Sequence, residues 1–505
     1  RWHIADPANP SRPAREVGYP AAGTANALVG LVRLGLDGRR TPVSWQAGEG
    51  GSAFEYLAAV HWSAHGPALL AVLTRDQRTG RVLAVEADGS TRVLIEERDE
   101  VWCEGFPGAP AWSPRGDLAW IAPRGDAYRL LLGNRAVTPD GVQVRALLGI
   151  DADHAYLSVS LDDDPTRIHI VRVTLPAAES DGPGGGEIER ISSADGVNAA
   201  VIGGSLAVVT AATLDVPNRR TTVVKLDKAG ASALCELRSL VEAPRLTARP
   251  RELVLGERGL RGVLLLPAGY VPGTKLPVLL DPYGGPHAQL AVASHNAYLS
   301  PQWFADQGYA VLVADGRGTP GRGPAWDRAV RDDFAGATLQ DQVDALEALL
   351  ALYPDLDRDR VAIRGWSYGG YLSALAVLKR PDVFHAAIVG APVTDWRLYD
   401  TGYTERYLGH PDQAPEVYNA NSLFPDAGPG AWRWAEPHRP MMIIHGLADD
   451  NVVAAHTLRL SSALLAAGRP HEVLPLSGVT HMTPQDVVTE RLMELQVDFL
   501  RRSLG

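Results

Sequence analysis

The chain has 505 residues, of which 46% are apolar and 21% charged, a balance that excludes a disordered polypeptide and at this length favours two domains over one core. Its net charge of -11 argues against a nucleic-acid partner, because phosphate binding needs a basic face. Two cysteines cannot form a disulfide framework, so Cys103 and Cys235 are expected to be isolated packed thiols, and no apolar run approaches the ~18 residues of a membrane span.

Trp2-His3-Ile4-Ala5 reads as a strand, with neither an initiator Met nor a basic-then-apolar signal pattern before it. The cytoplasm is the expected compartment, and the opening reads as the middle of a longer chain. Residues 1–243 continue as short strands separated by turns. Trp62-Ser63-Ala64-His65-Gly66 is answered 50 residues later by Trp112-Ser113-Pro114-Arg115-Gly116, each between apolar stretches. Similar units recur at Asp151 to His154 and at Gly203-Gly204. A tight turn recurring at this period predicts the blades of an all-β propeller, about five in number, with a β-sandwich as the alternative on this pattern alone. Ser180-Asp181-Gly182-Pro183-Gly184-Gly185-Gly186 is expected as a flexible surface loop.

From residue 244 the grammar changes. Apolar runs at 276–280, 310–314, 361–363, 386–389 and 441–444 alternate with helical patterns. One such pattern places Leu339, Val343, Leu346, Leu350 and Tyr353 on one face and stops at Pro354. This predicts a parallel sheet covered on both faces.

Gly365-Trp366-Ser367-Tyr368-Gly369 has the G-x-S-x-G form of a nucleophile elbow, with a strand pattern before it and a helical one after. A serine needs a base to take its proton and an acid to orient that base, in the chain order Ser, Asp, His. The acid candidates follow the strand 441–444 in His445-Gly446-Leu447-Ala448-Asp449-Asp450, where Asp449 and Asp450 compete. The base candidate is His481, on the loop after the strand 472–476; His410, His438 and His471 do not follow a strand end, and His445 lies too close to the acid's own strand. An oxyanion would take one donor from the backbone N–H of Tyr368. The other would come from Asp281-Pro282-Tyr283-Gly284-Gly285-Pro286-His287, where a phenol is available. The glycines around Arg317 and Arg322 lack the lysine and spacing of a phosphate loop, and no cofactor or metal is called for.

These residues resemble the prolyl oligopeptidase family of serine peptidases, within it the dipeptidyl peptidase IV branch. The likeness rests on Gly365-Trp366-Ser367-Tyr368-Gly369-Gly370, on Tyr399 with Tyr403-Thr404-Glu405-Arg406-Tyr407, on Ala448-Asp449-Asp450-Asn451-Val452, on Asp315-Gly316-Arg317-Gly318 and, more thinly, on Tyr19-Pro20-Ala21-Ala22-Gly23. It implies an α/β-hydrolase domain over 244–505 preceded by the propeller over 1–243. The acid then falls on Asp449 and the oxyanion phenol on Tyr283. Tyr368, Val393, Trp396, Tyr399, Tyr403 and Val452 are implied to line a compact pocket for a proline ring or an alanine methyl, and Asn451 to hold a substrate carbonyl. From the residues alone, the aromatic cluster at 396, 399 and 403 has helical spacing and could be core.

The activity implied is release of N-terminal dipeptides ending in proline or alanine from short peptides, with a homodimer through the hydrolase domain. The branch's amino-group clamp is a glutamate pair preceding Tyr-Pro-x-Ala-Gly, and almost nothing precedes Tyr19 here. Glu96-Glu97 comes after that stretch and does not take the role. An endo-oligopeptidase or acylaminoacyl-peptidase with the same triad is therefore the second reading, and an inactive scaffold the third. About five blades is also short for the family, and an opening strand with nothing before it would be an unpaired edge, so the propeller is expected to be incomplete at its N-terminus.

Overall fold

The computed structural model describes all residues except 49–52, 177–185, 229, 425–431 and 484. The glycine-rich segment expected as a surface loop lies outside the described residues except for Gly186.

The first half is all-β. Among the described residues, four-stranded antiparallel groups occupy 54–98, 111–136, 143–190 and 197–237, the last two joined into one eight-stranded sheet by a parallel bridge between Ile168 and Val197, and two hairpins, 2–17 and 31–43, precede them. Each repeated turn joins the first and second strands of one sheet. Trp62 to Gly66 links Phe54–His61 to Leu69–Thr74, and Trp112 to Gly116 links Ala111–Trp112 to Leu118–Arg124. Asp151 and Gly204 mark the same turn in the other two. The common turn leaves the apolar residues of adjoining strands facing the neighbouring sheet, as with Val144, Leu157 and Val171 against Ile121 and Leu130. About five blades are expected from the sequence, and the described residues form these four groups and the two hairpins. The opening strand, Trp2–Ile4, pairs antiparallel with Arg15–Val17 in a two-stranded sheet, so it is paired on one side only. Cys103 is buried, but Cys235 is exposed on the last strand of this half, contrary to the expectation of two packed thiols.

The second half is a single eight-stranded sheet: β1 (Arg251–Leu255), β2 (Leu260–Leu265), β3 (Leu276–Leu280), β4 (Ala310–Asp315), β5 (Leu356–Trp366), β6 (Ala386–Gly390), β7 (Met441–Gly446) and β8 (Glu472–Leu476). The order is β1-β2-β4-β3-β5-β6-β7-β8, parallel from β4 onward. The central strands are buried on both faces, which is why they read as unbroken apolar runs. Helices Phe334–Leu352 and Tyr368–Lys379 cover one face, and Leu299–Asp306 with Asp486–Leu504 the other. No helix among the described residues is long and apolar enough to cross a membrane.

Candidate active site

Every candidate site residue follows the C-terminal end of a parallel strand, the edge of such a sheet where loops converge. Ser367 stands between β5 and helix Tyr368–Lys379 with φ 60° and ψ -116°, a strained conformation for a non-glycine residue. Its flanking glycines are sterically required. A Cβ on Gly365 would strike the backbone of Gly369, and one on Gly369 would lie 2.5 Å from the Pro282 carbonyl oxygen. The Ser367 N–H donates to the Gly390 carbonyl at 2.9 Å, fixing the turn on β6.

The loop after β7 decides between the two aspartates. Asp449 is buried, and its two carboxylate oxygens have separate tasks. Oδ1 accepts the N–H groups of Asn451 (2.9 Å) and Val452 (2.8 Å), while Oδ2 lies 2.7 Å from His481 Nδ1. Asp450 is exposed and paired with Arg15 at 2.6 Å. His445 is taken up elsewhere: its Nε2 donates to the Val452 carbonyl and its Nδ1 accepts from Thr457 Oγ1, each at 2.7 Å. The His481 loop packs on the acid's loop through the Ala448 N–H to Val479 carbonyl bond. It is also tied to the elbow, because the indole N–H of Trp366 donates to the His481 carbonyl at 2.7 Å. The Ser367 hydroxyl has no hydrogen bond among the described residues; contacts of this kind commonly close only with substrate in place.

Tyr283 follows β3. Gly284 adopts φ 71°, and a Cβ on Gly285 would stand 2.5 Å from the Tyr368 ring, so two glycines let this loop cross above the elbow. The Tyr283 ring lies 5.9 Å from that of Tyr368, and burial raises the phenol's pKa. Tyr368 is the first residue of its helix, so its N–H has no intrahelical acceptor.

The aromatic cluster packs as one group against the core. Trp396 and Tyr403 stack at 6.0 Å, and Tyr399 meets each edge-on. Helical spacing does not produce this: Trp396 belongs to a separate short turn, and Tyr399 is extended. Asp400 caps helix Thr401–Leu408 by accepting the Tyr403 N–H at 2.8 Å, which sets Tyr403 in place. Val393 and Val452 are buried beside this core. Tyr399 Oη donates to Asn451 Oδ1 at 3.2 Å, leaving the Asn451 amide N–H₂ as donor.

Sequence reasoning missed four residues here. Phe334 packs 4.6 Å from Trp396, and His287 and Tyr407 contact Tyr403 at 5.3 and 5.1 Å. Tyr19, from the first half, donates to the Asn451 carbonyl at 2.8 Å and meets Tyr399 edge-on. The Tyr19 to Gly23 stretch was the available signal, since it pairs with 399–401 through Ala22 N–H to Tyr399 and Thr401 N–H to Pro20. Phe334 gave none.

Glu96 and Glu97 are occupied by arginines, Glu96 by Arg81 (2.5 Å) and Arg98 (2.8 Å), Glu97 by Arg124 (3.3 Å). Among the described residues no cluster of three or more His, Cys, Asp or Glu is arranged to hold a metal.

Comparison with known proteins agrees with both halves. The family described as "Prolyl oligopeptidase family" matches residues 295–505, and "Dipeptidyl peptidase IV (DPP IV) N-terminal region" matches 1–217. Dipeptidyl peptidase 8 of Homo sapiens is 43% identical over 219 residues, 42% of this chain and 24% of that protein. Probable dipeptidyl-aminopeptidase B of Emericella nidulans is 26% identical over 500 residues, 91% of this chain and 52% of that protein. The chain thus spans from about a quarter to about half the length of these relatives. The crystal structure of Porphyromonas gingivalis dipeptidyl peptidase 4 superposes with a TM-score of 0.84 at 22% identity, covering all of this chain and 71% of that one. The propeller-plus-hydrolase fold is therefore shown, with residues 295–505 similar to the prolyl oligopeptidase family and residues 1–217 to the N-terminal region of dipeptidyl peptidase IV.

Proposed function

We propose that the chain hydrolyses short peptides through an acyl-enzyme on Ser367 and releases N-terminal dipeptides after proline or alanine. The observation that carries this reading is the strained Ser367 elbow tied through Trp366 to a His481 already paired with buried Asp449. Asp449 accepts the Nδ1 proton of His481, which leaves Nε2 free to take the serine proton as Oγ attacks the scissile carbonyl. The oxyanion then lies between the Tyr368 N–H and the Tyr283 phenol, which its raised pKa keeps protonated as a donor. His481 returns the proton to the departing amine, and water resolves the ester by the same route.

In this reading Val393, Trp396, Tyr399, Tyr403 and Val452 form a compact apolar slot, and Asn451 donates to a substrate carbonyl. The test uses Gly-Pro and Ala-Pro chromogenic amides, free and N-blocked, with a fluorophosphonate to label Ser367. Cleavage after Lys or Glu as fast as after Pro would sink the pocket assignment.

A second reading rests on Glu96 and Glu97. Both are taken by arginines, which favours an endo-oligopeptidase or acylaminoacyl-peptidase that makes no use of a free amino group. Equal or faster cleavage of N-blocked peptides would select it. A second copy of the chain is the proposed partner, and exposed Val473 on edge strand β8 with Val487 and Leu495 on the last helix support a contact through the hydrolase half. Sedimentation of the full chain tests this.

A further inference from the structure

A cavity of about 360 Å³ lies where the loops after β3 and β4 meet the first half; its wall includes His287, Tyr407, Glu104, Tyr128, Arg145 and Asp327. It adjoins the aromatic pocket, because His287 packs at 5.3 Å on Tyr403 and holds Tyr407 Oη at 2.8 Å through Nε2. The backbone of His287 has φ 73°, a strained value for a non-glycine, four residues beyond Tyr283.

This hydrogen bond fixes the tautomer of the histidine. The Tyr407 phenol, 2.8 Å from Nε2, is a stronger hydrogen-bond donor than a neutral imidazole N–H. Its own proton therefore points at His287 Nε2, which is the acceptor. The remaining proton sits on Nδ1, which has no protein partner among the described residues. Burial and Arg406 lower the imidazole's pKa, so this neutral form holds at neutral pH.

The charges around the cavity are unequal. Glu104 is matched by Arg406 at 2.9 Å, and burial raises the pKa of the Asp327 carboxyl well above its ordinary value, which weakens it as a counter-charge. Arg145 bonds to neutral acceptors, Ser160 Oγ, the Pro165 carbonyl and Gln289 Oε1, and among the described residues no carboxylate forms an ion pair with it.

Sheet order gives the direction of a bound peptide. Ser367 follows β5, and the acid and base come from the β7 and β8 side, whereas the cavity opens after β3 and β4 on the other side. The leaving amine must sit beside the base, so the acyl side of the substrate extends toward the cavity.

We propose that His287 is a specificity-determining residue, donating Nδ1–H to the side chain of the residue that precedes the pocket residue. With Arg145 it selects acceptor-bearing or acidic side chains there over lysine and arginine. The proposal rests on the peptidase reading above and deepens it.

The test compares X-Pro amides with X as Glu, Gln or Lys on the full chain. Glu and Gln are expected to exceed Lys in kcat/KM by about tenfold or more, the scale of one buried charge-assisted contact. The ratio should fall to within about twofold in Arg145→Met and in His287→Gly, where glycine accepts the positive φ. Taking the ratio within each variant cancels any loss of folded protein. A wild-type ratio at or below one, or an unchanged ratio in His287→Gly, overturns the proposal. Calorimetric binding of Glu-Pro and Lys-Pro to the Ser367→Ala chain reads the same preference without turnover. Equal or undetectable binding of both also overturns it, whereas clear discrimination with no turnover by the wild type faults the peptidase reading instead.

Discussion

Asp449 and Asp450 are adjacent carboxylates of identical chemistry, and burial alone separates their uses. Asp449→Asn is expected to lower turnover by ~10⁴, since an amide cannot hold the imidazole in the reactive tautomer. Asp450→Asn loses only an exposed pair with Arg15, worth about 1 kcal/mol or less. Steady-state kinetics of the two variants checks the assignment, and equal loss in both would overturn it. Ser367→Ala should abolish fluorophosphonate labelling with an unchanged thermal midpoint. Another carboxylate sets a pH dependence. Asp315, at the end of β4, is buried and accepts the N–H groups of Leu290 (3.0 Å) and Ala291 (2.8 Å). Burial lifts its pKa from 3.8 to about 6. Between these values the folded state holds the proton more tightly than the unfolded one, so stability falls as pH rises through the window, by up to about 1.4 kcal/mol per pH unit. In Asp315→Asn this component of the slope should vanish, as read by urea unfolding across that range.

Helix Thr401–Leu408 carries Tyr403 of the proposed pocket and is tied to the first half by several side chains. Glu405, 3% exposed, accepts Arg75 through both oxygens at 2.7 Å and the Gly23 N–H at 2.8 Å. Arg406 reaches Gln77 and Glu104, and Gln77 donates to the Gly402 carbonyl. Arg75→Ala would leave a buried carboxylate short of its counter-charge and should cost about 3 kcal/mol in denaturant unfolding. Because Tyr403 rides on this helix, the same variant should raise KM for proline substrates more than it lowers kcat. A fall in kcat alone would show that the helix does not shape the pocket.

At the scale of the whole molecule the first half reaches the candidate site of the second. Tyr19 braces Asn451, Ala22 bonds to Tyr399, and Arg328 holds Asp99 (2.5 Å) and the Trp102 carbonyl (3.2 Å). Arg167 adds a bidentate pair to Glu252 at 2.8 Å on the opposite flank. Residues 244–505 produced alone are therefore expected to label at Ser367 yet lose most of the preference for proline, because Tyr19 and the support of helix Thr401–Leu408 are gone. Chromogenic peptide panels on the excised half and the full chain test this; equal selectivity would make the first half a mere cover.

The elements whose signal is local were open to reading from the sequence: the apolar strands, the elbow at Gly365-Trp366-Ser367-Tyr368-Gly369, the recurring turns at Trp62 and Trp112, and the placing of an aspartate at 449 or 450 and of His481 after successive strands. Each depends on backbone geometry or burial within a few residues, which residue type and spacing report directly. What separates Asp449 from Asp450 in physical terms is long-range: one carboxylate is buried against His481, and the other reaches Arg15, 435 residues away in sequence. The tertiary structure alone decided that Tyr19, Phe334, His287 and Tyr407 pack on the aromatic cluster, that the opening strand pairs with Arg15–Val17, and that Cys235 faces solvent. Such contacts join residues far apart in sequence, and their free energy comes from shared burial, which no local pattern encodes.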